Sequence, residues 1–147
     1  ICKVCGGVRA MEIALYRLYN PYTLEHLLTS NTVERDDLLS VGWKLDGIEW
    51  NSPNTGDPVY RLYNTADDWH TYSANKAEVD MMVAQGWVLD GVVCYSAKTN
   101  DARPVYRLFN PFEQKNYHML TASKDEKEFL EGLGWKLDGI AWQSLAN

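Results

Sequence analysis

Apolar and polar side chains alternate through "VYRLYN" at residues 59–64, and the same alternation returns in "LYRLYN" at 15–20 and "VYRLFN" at 105–110. A period of two in a segment rich in β-formers predicts a strand in each place. The stretches "NPYT", "NTADD" and "NPFEQK" follow directly. Asn and Asp bond their own backbone and Pro presets φ, so each reads as a turn. "HLLTS", "HTYSA" and "HMLTA" then read as the returning strands of hairpins. The pattern changes in "TSNTVERDDLLSVG", "SANKAEVDMMVAQG" and "TASKDEKEFLEGLG". Asn31 with Glu34 three places on has capping-box spacing. Val33, Leu38 and Leu39 are expected to line one face of a short helix that stops at Gly42. "WKLDGIEW" closes the unit as one strand, or as two short ones bent at Asp-Gly, where Gly supplies φ > 0 for a turn or bulge.

The recurrence is a repeat. "GWKLDGI" stands at 42–48 and again at 134–140, with "GWVLDGV" at 86–92. Trp43 and Trp87 are 44 positions apart, and Trp87 and Trp135 are 48 apart. A unit of strand, strand, short helix and strand has too little apolar surface to stand alone. The three units must share a core. Copies alike at both ends do not suit an open solenoid, which needs distinct caps, and three are too few for a propeller. The expected fold is mainly β with short helices: a β-trefoil-like domain of three pseudo-symmetric lobes, each with a short helical insert. A ββαβ ring of another topology is the competitor. Residues 15–147 form one domain, with lobes at about 15–57, 58–103 and 104–147, and residues 1–14 belong to a preceding segment. The third copy has two extra residues between Asn110 and His118, an insertion that belongs in a hairpin loop.

Composition narrows the partners. The formal charge is −6, so the basic sheath needed on phosphate backbones is absent and nucleic acid is excluded as the expected partner. No apolar run approaches the ~20 residues of a membrane span. Six Trp, nine Tyr and three Phe exceed what a core of this size needs and suit ligand surfaces. Cys2-x-x-Cys5 has half the ligands of a zinc knuckle and no βαβ setting for redox work, so no metal or other cofactor is expected. The third cysteine, Cys94, is expected to be a buried free thiol.

Matched residues recur in every copy: Arg17, Arg61 and Arg107; His26, His70 and His118; Glu34, Glu78 and Glu126; Asp46, Asp90 and Asp138. Triplicated chemistry suits a structural role played three times, or three equivalent binding sites, better than one catalytic centre. The arginines are expected to pair with the Asp or the helix Glu and tie strand to strand within each lobe. The histidines are expected to bond the matched Asp or a carbonyl, or to meet sugar hydroxyls at the hairpin mouth. Trp43, Trp87 and Trp135 are expected in the core. The hairpin tips differ between copies and carry the candidate ligand groups: Asp67, Asp68 and Trp69 beside His70; Tyr22 and Glu25 beside His26; Asn116 and Tyr117 beside His118. A sugar site needs an aromatic face and a few aimed polar groups. A hydrolase built on Asp67 or Asp68 with His70 is the weaker reading, and nothing resembling "GxSxG" or "HExxH" supports it.

From Tyr16 to about Gln143 the lobes resemble a repeat family of secreted bacterial proteins with units of the form "VYRLYNPNTGEHFYT…ERD…LV..GW..EG.AW". Thr65 in place of the turn Pro, and Cys94 in place of the closing Trp, are departures in the second copy. The resemblance implies a trefoil-like accessory module of cell-wall or carbohydrate-active proteins, and it transfers no binding residue. "ICKVCGGVRAMEI" resembles the end of "YTCxVCGxxxxEEI" segments in large surface proteins of Gram-positive bacteria, implying an extracellular, multidomain parent. The expected function is non-catalytic binding of a glycan or cell-wall polysaccharide. The alternative is a structural or adhesive module that binds protein.

Overall fold

A computed structural model describes residues 12–112 and 118–145; Cys2 and Cys5 lie outside them. The chain runs β1 (Glu12–Tyr19), β2 (His26–Thr29), α1 (Thr32–Ser40), β3 (Lys44–Pro53), then β4 (Asp57–Asn64), β5 (Trp69–Ser73), α2 (Lys76–Ala84), β6 (Val88–Ser96), and finally β7 (Arg103–Phe109), β8 (His118–Thr121), α3 (Lys124–Gly132), β9 (Lys136–Ser144). Each lobe is a three-stranded antiparallel sheet with the "YRL" strand in the middle, in the orders β2-β1-β3, β5-β4-β6 and β8-β7-β9. The protein is mainly β with three short helices. Residues 12–14, assigned from sequence to the preceding tail, extend β1 by pairing with Pro53, Ser52 and Asn51.

The Asp-Gly pair is a bulge inside one continuous strand. Leu18 pairs with Leu45 and Arg17 with Gly47, so Asp46 is the extra residue; Gly47 takes φ 127°. A second bulge falls at Glu49, between the Tyr16–Ile48 and Leu15–Trp50 pairs. Both recur in the other lobes, at Asp90 and Val93 and at Asp138 and Ala141. A bulge re-aims the side chain it carries, and here it aims each Asp at the arginine of the central strand.

The helices are capped as their sequences predict. Asn31 accepts from the backbone N–H groups of Val33 and Glu34, Asn75 from Glu78, and Ser123 from Glu126. Their packing departs from expectation. α1 buries none of its residues, and Val33 is 66% exposed. An apolar stripe does not hold α1; an ion pair from Glu34 to the next lobe does, as described below.

The shared core is built in matched layers about the pseudo-threefold axis. Leu15, Val59 and Val105 form one, Leu28, Tyr72 and Leu120 a second, and Trp50, Cys94 and Trp142 a third, all buried in a single cluster. Cys94 is a buried free thiol, and burial pushes its pKa up to about 12. Trp43, Trp87 and Trp135, expected inside, are only half-buried. They follow a glycine at the outer end of the third strand, whereas Trp50 and Trp142 lie at its axial end.

The lobes close into a ring. The Ala97 N–H donates to the Gln143 carbonyl and the Leu145 N–H to the Asn51 carbonyl, both at 2.9 Å. The equivalent donor at the remaining junction would be Pro53, which has no N–H. Ser52 joins these lobes: its hydroxyl accepts from the Tyr95 N–H at 2.9 Å, as that of Ser96 does from the Gln143 N–H at 3.1 Å, and lies 3.2 Å from the Tyr95 carbonyl. An open row of repeats is thereby ruled out, since the first lobe bonds the third.

Candidate functional site

The hairpin end of the axis carries a polar layer over the apolar core. Arg17, 6% exposed, donates from Nε to Asp46 at 2.9 Å and from both η nitrogens to Glu126 at 2.8 Å. It also meets Glu49 at 2.7 Å and donates to the Leu120 carbonyl at 3.3 Å. Arg61 repeats this with Asp90 in its own lobe and with Glu34 and the Leu28 carbonyl of the first lobe. Arg17 and Arg61 therefore tie strand to strand within their lobes through Asp46 and Asp90, as the sequence suggested, and through the helix glutamates they also join lobe to lobe. Burial opposes the charge on both guanidiniums. The hydrogen bonds they donate to Glu126 and Glu34, with the other facing carboxylates, overturn that and hold both pKa values above the ordinary arginine value.

Each histidine sits beside its matched aspartate: His26 Nε2 is 3.7 Å from Asp46, His70 Nε2 3.5 Å from Asp90, and His118 Nε2 3.2 Å from Asp138. Tyr19, Tyr63 and Phe109 pack their rings against the same imidazoles. Each imidazole therefore lies between its matched aspartate and a ring of the central strand in all three lobes. Burial, reinforced by the Arg17 charge and only partly offset by Asp46 and Glu126, lowers the His26 pKa to about 4.

A pH dependence follows. An unfolded chain protonates His26 near its ordinary value of about 6.5, while the folded chain keeps it neutral until about 4. The resulting stability is complete above pH ~6.5 and is lost as pH falls through that window. Glu34 and Glu126 are held below the ordinary carboxylate range by their arginines, so their protonation extends the loss at the acid end. Glu49, raised by burial, acts weakly in the opposite sense. Urea unfolding between pH 7.5 and 4.5 is expected to show a fall on the order of 2 kcal/mol. A His26→Gln variant is expected to flatten the curve above pH 5; an unchanged curve would remove His26 as its cause.

The candidate ligand residues separate into three groups. Tyr22 is 85% exposed at the first hairpin tip, and Asp67 and Asp68 are exposed at the second. Asp68 accepts from the Tyr63 hydroxyl at 2.7 Å. Glu25 is instead buried, 3% exposed, and its Oε2 accepts from the His70 backbone N–H at 2.7 Å and meets His70 Nδ1 at 3.0 Å. It is a lobe-to-lobe tie, and it occupies His70 as well. Asn116 and Tyr117 lie outside the described residues. The last group converges. Trp69, His26 and His118 line one cleft of about 180 Å³ together with Tyr19, Leu24, Asn110 and Trp135.

All three lobes contribute to that cleft, so it is a composite site. Tyr19, Asn110 and Trp135 were not singled out as ligand groups from sequence. The signal was present, since each belongs to a repeated position, but repetition alone did not distinguish a structural residue from a surface one. Among the described residues no group of three His, Cys, Asp or Glu side chains is placed to hold a metal ion, and no helix is long and apolar enough to cross a membrane.

A family model described as "Domain of unknown function (DUF5648)" matches residues 14–145. The chain belongs to the DUF5648 family. The match takes in all three lobes, so the DUF5648 unit is the closed ring and not the single repeat. Comparison with curated proteins and with solved structures returned no match.

A second concavity of the DUF5648 ring lies at the junction of lobes two and three, about 260 Å³ in volume and lined by Ser73, Asn75, Glu78, Arg107, Asp138 and Ile140 among others. The corresponding junction of lobes one and two is a groove of about 220 Å³ spanned by the Glu34–Arg61 pair.

Proposed function

We propose that this DUF5648 domain is a non-catalytic glycan-binding module of trefoil-like architecture, carried by a secreted bacterial surface protein. The observation behind this reading is the composite cleft of Tyr19, Trp69 and Trp135 with His26, His118 and Asn110. A pyranose ring presents C–H bonds on its faces and hydroxyls at its edge. Aromatic faces suit the first, and imidazole and amide groups suit the second. A neutral His26 both donates and accepts, which is what a hydroxyl requires, and its lowered pKa keeps it neutral at physiological pH. The cleft has the size of one sugar ring, so binding is expected to be weak and to gain from avidity in a longer polymer or a multidomain chain.

The geometry gives a hydrolase little support. His70 is occupied by Glu25 and Asp90, and Asp68 by Tyr63. The protein-interaction reading has one observation in its favour: the exposed apolar pairs Leu45 and Ile48, Leu89 and Val92, and Leu137 and Ile140, repeated on the third strand of every lobe.

A glycan array probed with the unaltered domain and with Trp69→Ala and Trp135→Ala separates these readings. Each substitution is expected to weaken binding by about tenfold, from the loss of one stacking face, while Asp67→Asn leaves it unchanged. Retained binding in both tryptophan variants would move the site elsewhere. Failure of every glycan would favour the protein-interaction reading.

A further inference from the structure

Two of the three lobe junctions contain the same device. A helix glutamate of one lobe lays both carboxylate oxygens on the η nitrogens of the next lobe's arginine, at 2.8 Å each for Glu126 on Arg17 and at 2.8 and 2.7 Å for Glu34 on Arg61. Symmetry calls for Glu78 on Arg107 at the third junction, and the pair is not formed. Arg107 is 42% exposed, against 6% and 12% for its sisters, and its one ion pair among the described residues is with Asp138, at 3.4 Å. Its Nε is shielded from solvent and makes no hydrogen bond. Glu78 is exposed.

Lobe two differs in sequence beside Glu78. In the other lobes Thr29 and Thr121 help their arginines keep Glu34 and Glu126 below the ordinary carboxylate range. The matching residue in lobe two is Ser73, whose hydroxyl donates to the Asn75 carbonyl at 3.3 Å instead. The cleft of about 260 Å³ lies in front of Arg107.

We propose that the junction between lobes two and three is a second binding site, in which Arg107 receives the carboxylate of a hydroxylated sugar acid. The sister junctions show that this environment accepts a carboxylate in bidentate geometry, the arrangement to which a guanidinium fork is matched. Around Arg107 the cleft presents the Asn75 amide N–H groups and the Asp138 carboxylate to hydroxyl groups, while the Ser73 hydroxyl is taken by the Asn75 backbone. The negative charges of Glu78 and Asp138 oppose a second anionic group, so a single carboxylate flanked by neutral hydroxyls fits better than phosphate, sulfate or a dicarboxylate. This site is separate from the aromatic cleft and does not depend on it.

The test is an amide NMR titration of the whole chain with glucuronate, glucose, acetate and phosphate. Glucuronate is expected to shift residues 73–78 and 138–142 saturably, and each of the other three to bind more weakly there. Arg107→Gln is expected to weaken glucuronate at least about tenfold, the effect of one charge-assisted bidentate contact. Should that variant not fold, Arg107→Lys, which keeps the charge and loses the fork, is expected to bind several-fold more weakly. Glu78→Gln is expected to bind as well or more tightly, because a rival carboxylate has been removed. Trp69→Ala and Trp135→Ala are expected to leave this titration unchanged. Undiminished binding in the folded Arg107 variant, loss of binding in Glu78→Gln, equal binding of glucose, acetate or phosphate, or no saturable shift at all would each overturn the assignment.

Discussion

Arg17→Ala is expected to destabilise the domain by about 3–5 kcal/mol, the range for removing one partner of a buried charge network. The guanidinium faces Asp46, Glu49 and Glu126, and it is almost wholly enclosed. Its loss leaves three carboxylates around an empty space, and they repel one another as well as lacking a partner. The same substitution also removes the ion pair between the first lobe and the last, across 109 positions of sequence. Arg107→Ala alters the same letter in the same repeat context and is expected to cost less than about 1 kcal/mol, because its one ion pair is long and partly solvated. Urea unfolding of the two variants side by side measures the difference. Equal losses would mean that the third junction closes in solution as the other two do. Restoring part of the stability of Arg17→Ala with Glu126→Gln would confirm that stranded charge, rather than lost packing, is the main penalty.

Trp50→Ala is expected to cost a similar amount, about 3–5 kcal/mol, through the cavity it opens, and to lower the melting temperature by roughly 10 °C for a chain of this size. Trp50 is 1% exposed and meets the edge of Trp142 at 6.0 Å between ring centres, with Cys94 completing the layer. Collapse into the vacated space is resisted. The strands that would have to move are pinned to one another at the base of the ring, through Ser52 with Tyr95, Ala97 with Gln143 and Leu145 with Asn51. The Trp50 indole N–H makes no hydrogen bond, so Trp50→Phe sacrifices only volume and is expected to stay within about 1.5 kcal/mol of the parent. A Trp50→Ala variant that melts within a degree or two of the parent would contradict a shared axial core.

Both predictions depend on relations between lobes, and that is where reading the chain stopped short. The central strands, the hairpin turns, the Asn31 cap and the buried Cys94 were all legible, because each is decided by neighbours a few positions away. The Asp-Gly bulge was legible too, since only glycine takes the required φ without strain. Which lobe supplies the glutamate of each arginine was not. The helix glutamate that completes Arg17 is distant in sequence, and nothing local says that it comes from the preceding lobe around the ring. The tryptophans show the same limit. Trp43 and Trp50 are both apolar letters on one strand, and only the direction of that strand relative to the axis puts the second inside and leaves the first half out. Val33 looked like a core residue for want of any sign that α1 is fastened by charge.

By itself, then, the sequence determined a threefold unit, the order of its elements, and the need for the copies to share a core, since backbone preference and hydrophobic periodicity act over short distances. The tertiary structure alone decided which lobe completes which, that Glu25 ties two lobes instead of facing a ligand, and that the Arg107 junction stands open. Those outcomes depend on the ring closing, which brings together groups that no local interaction relates.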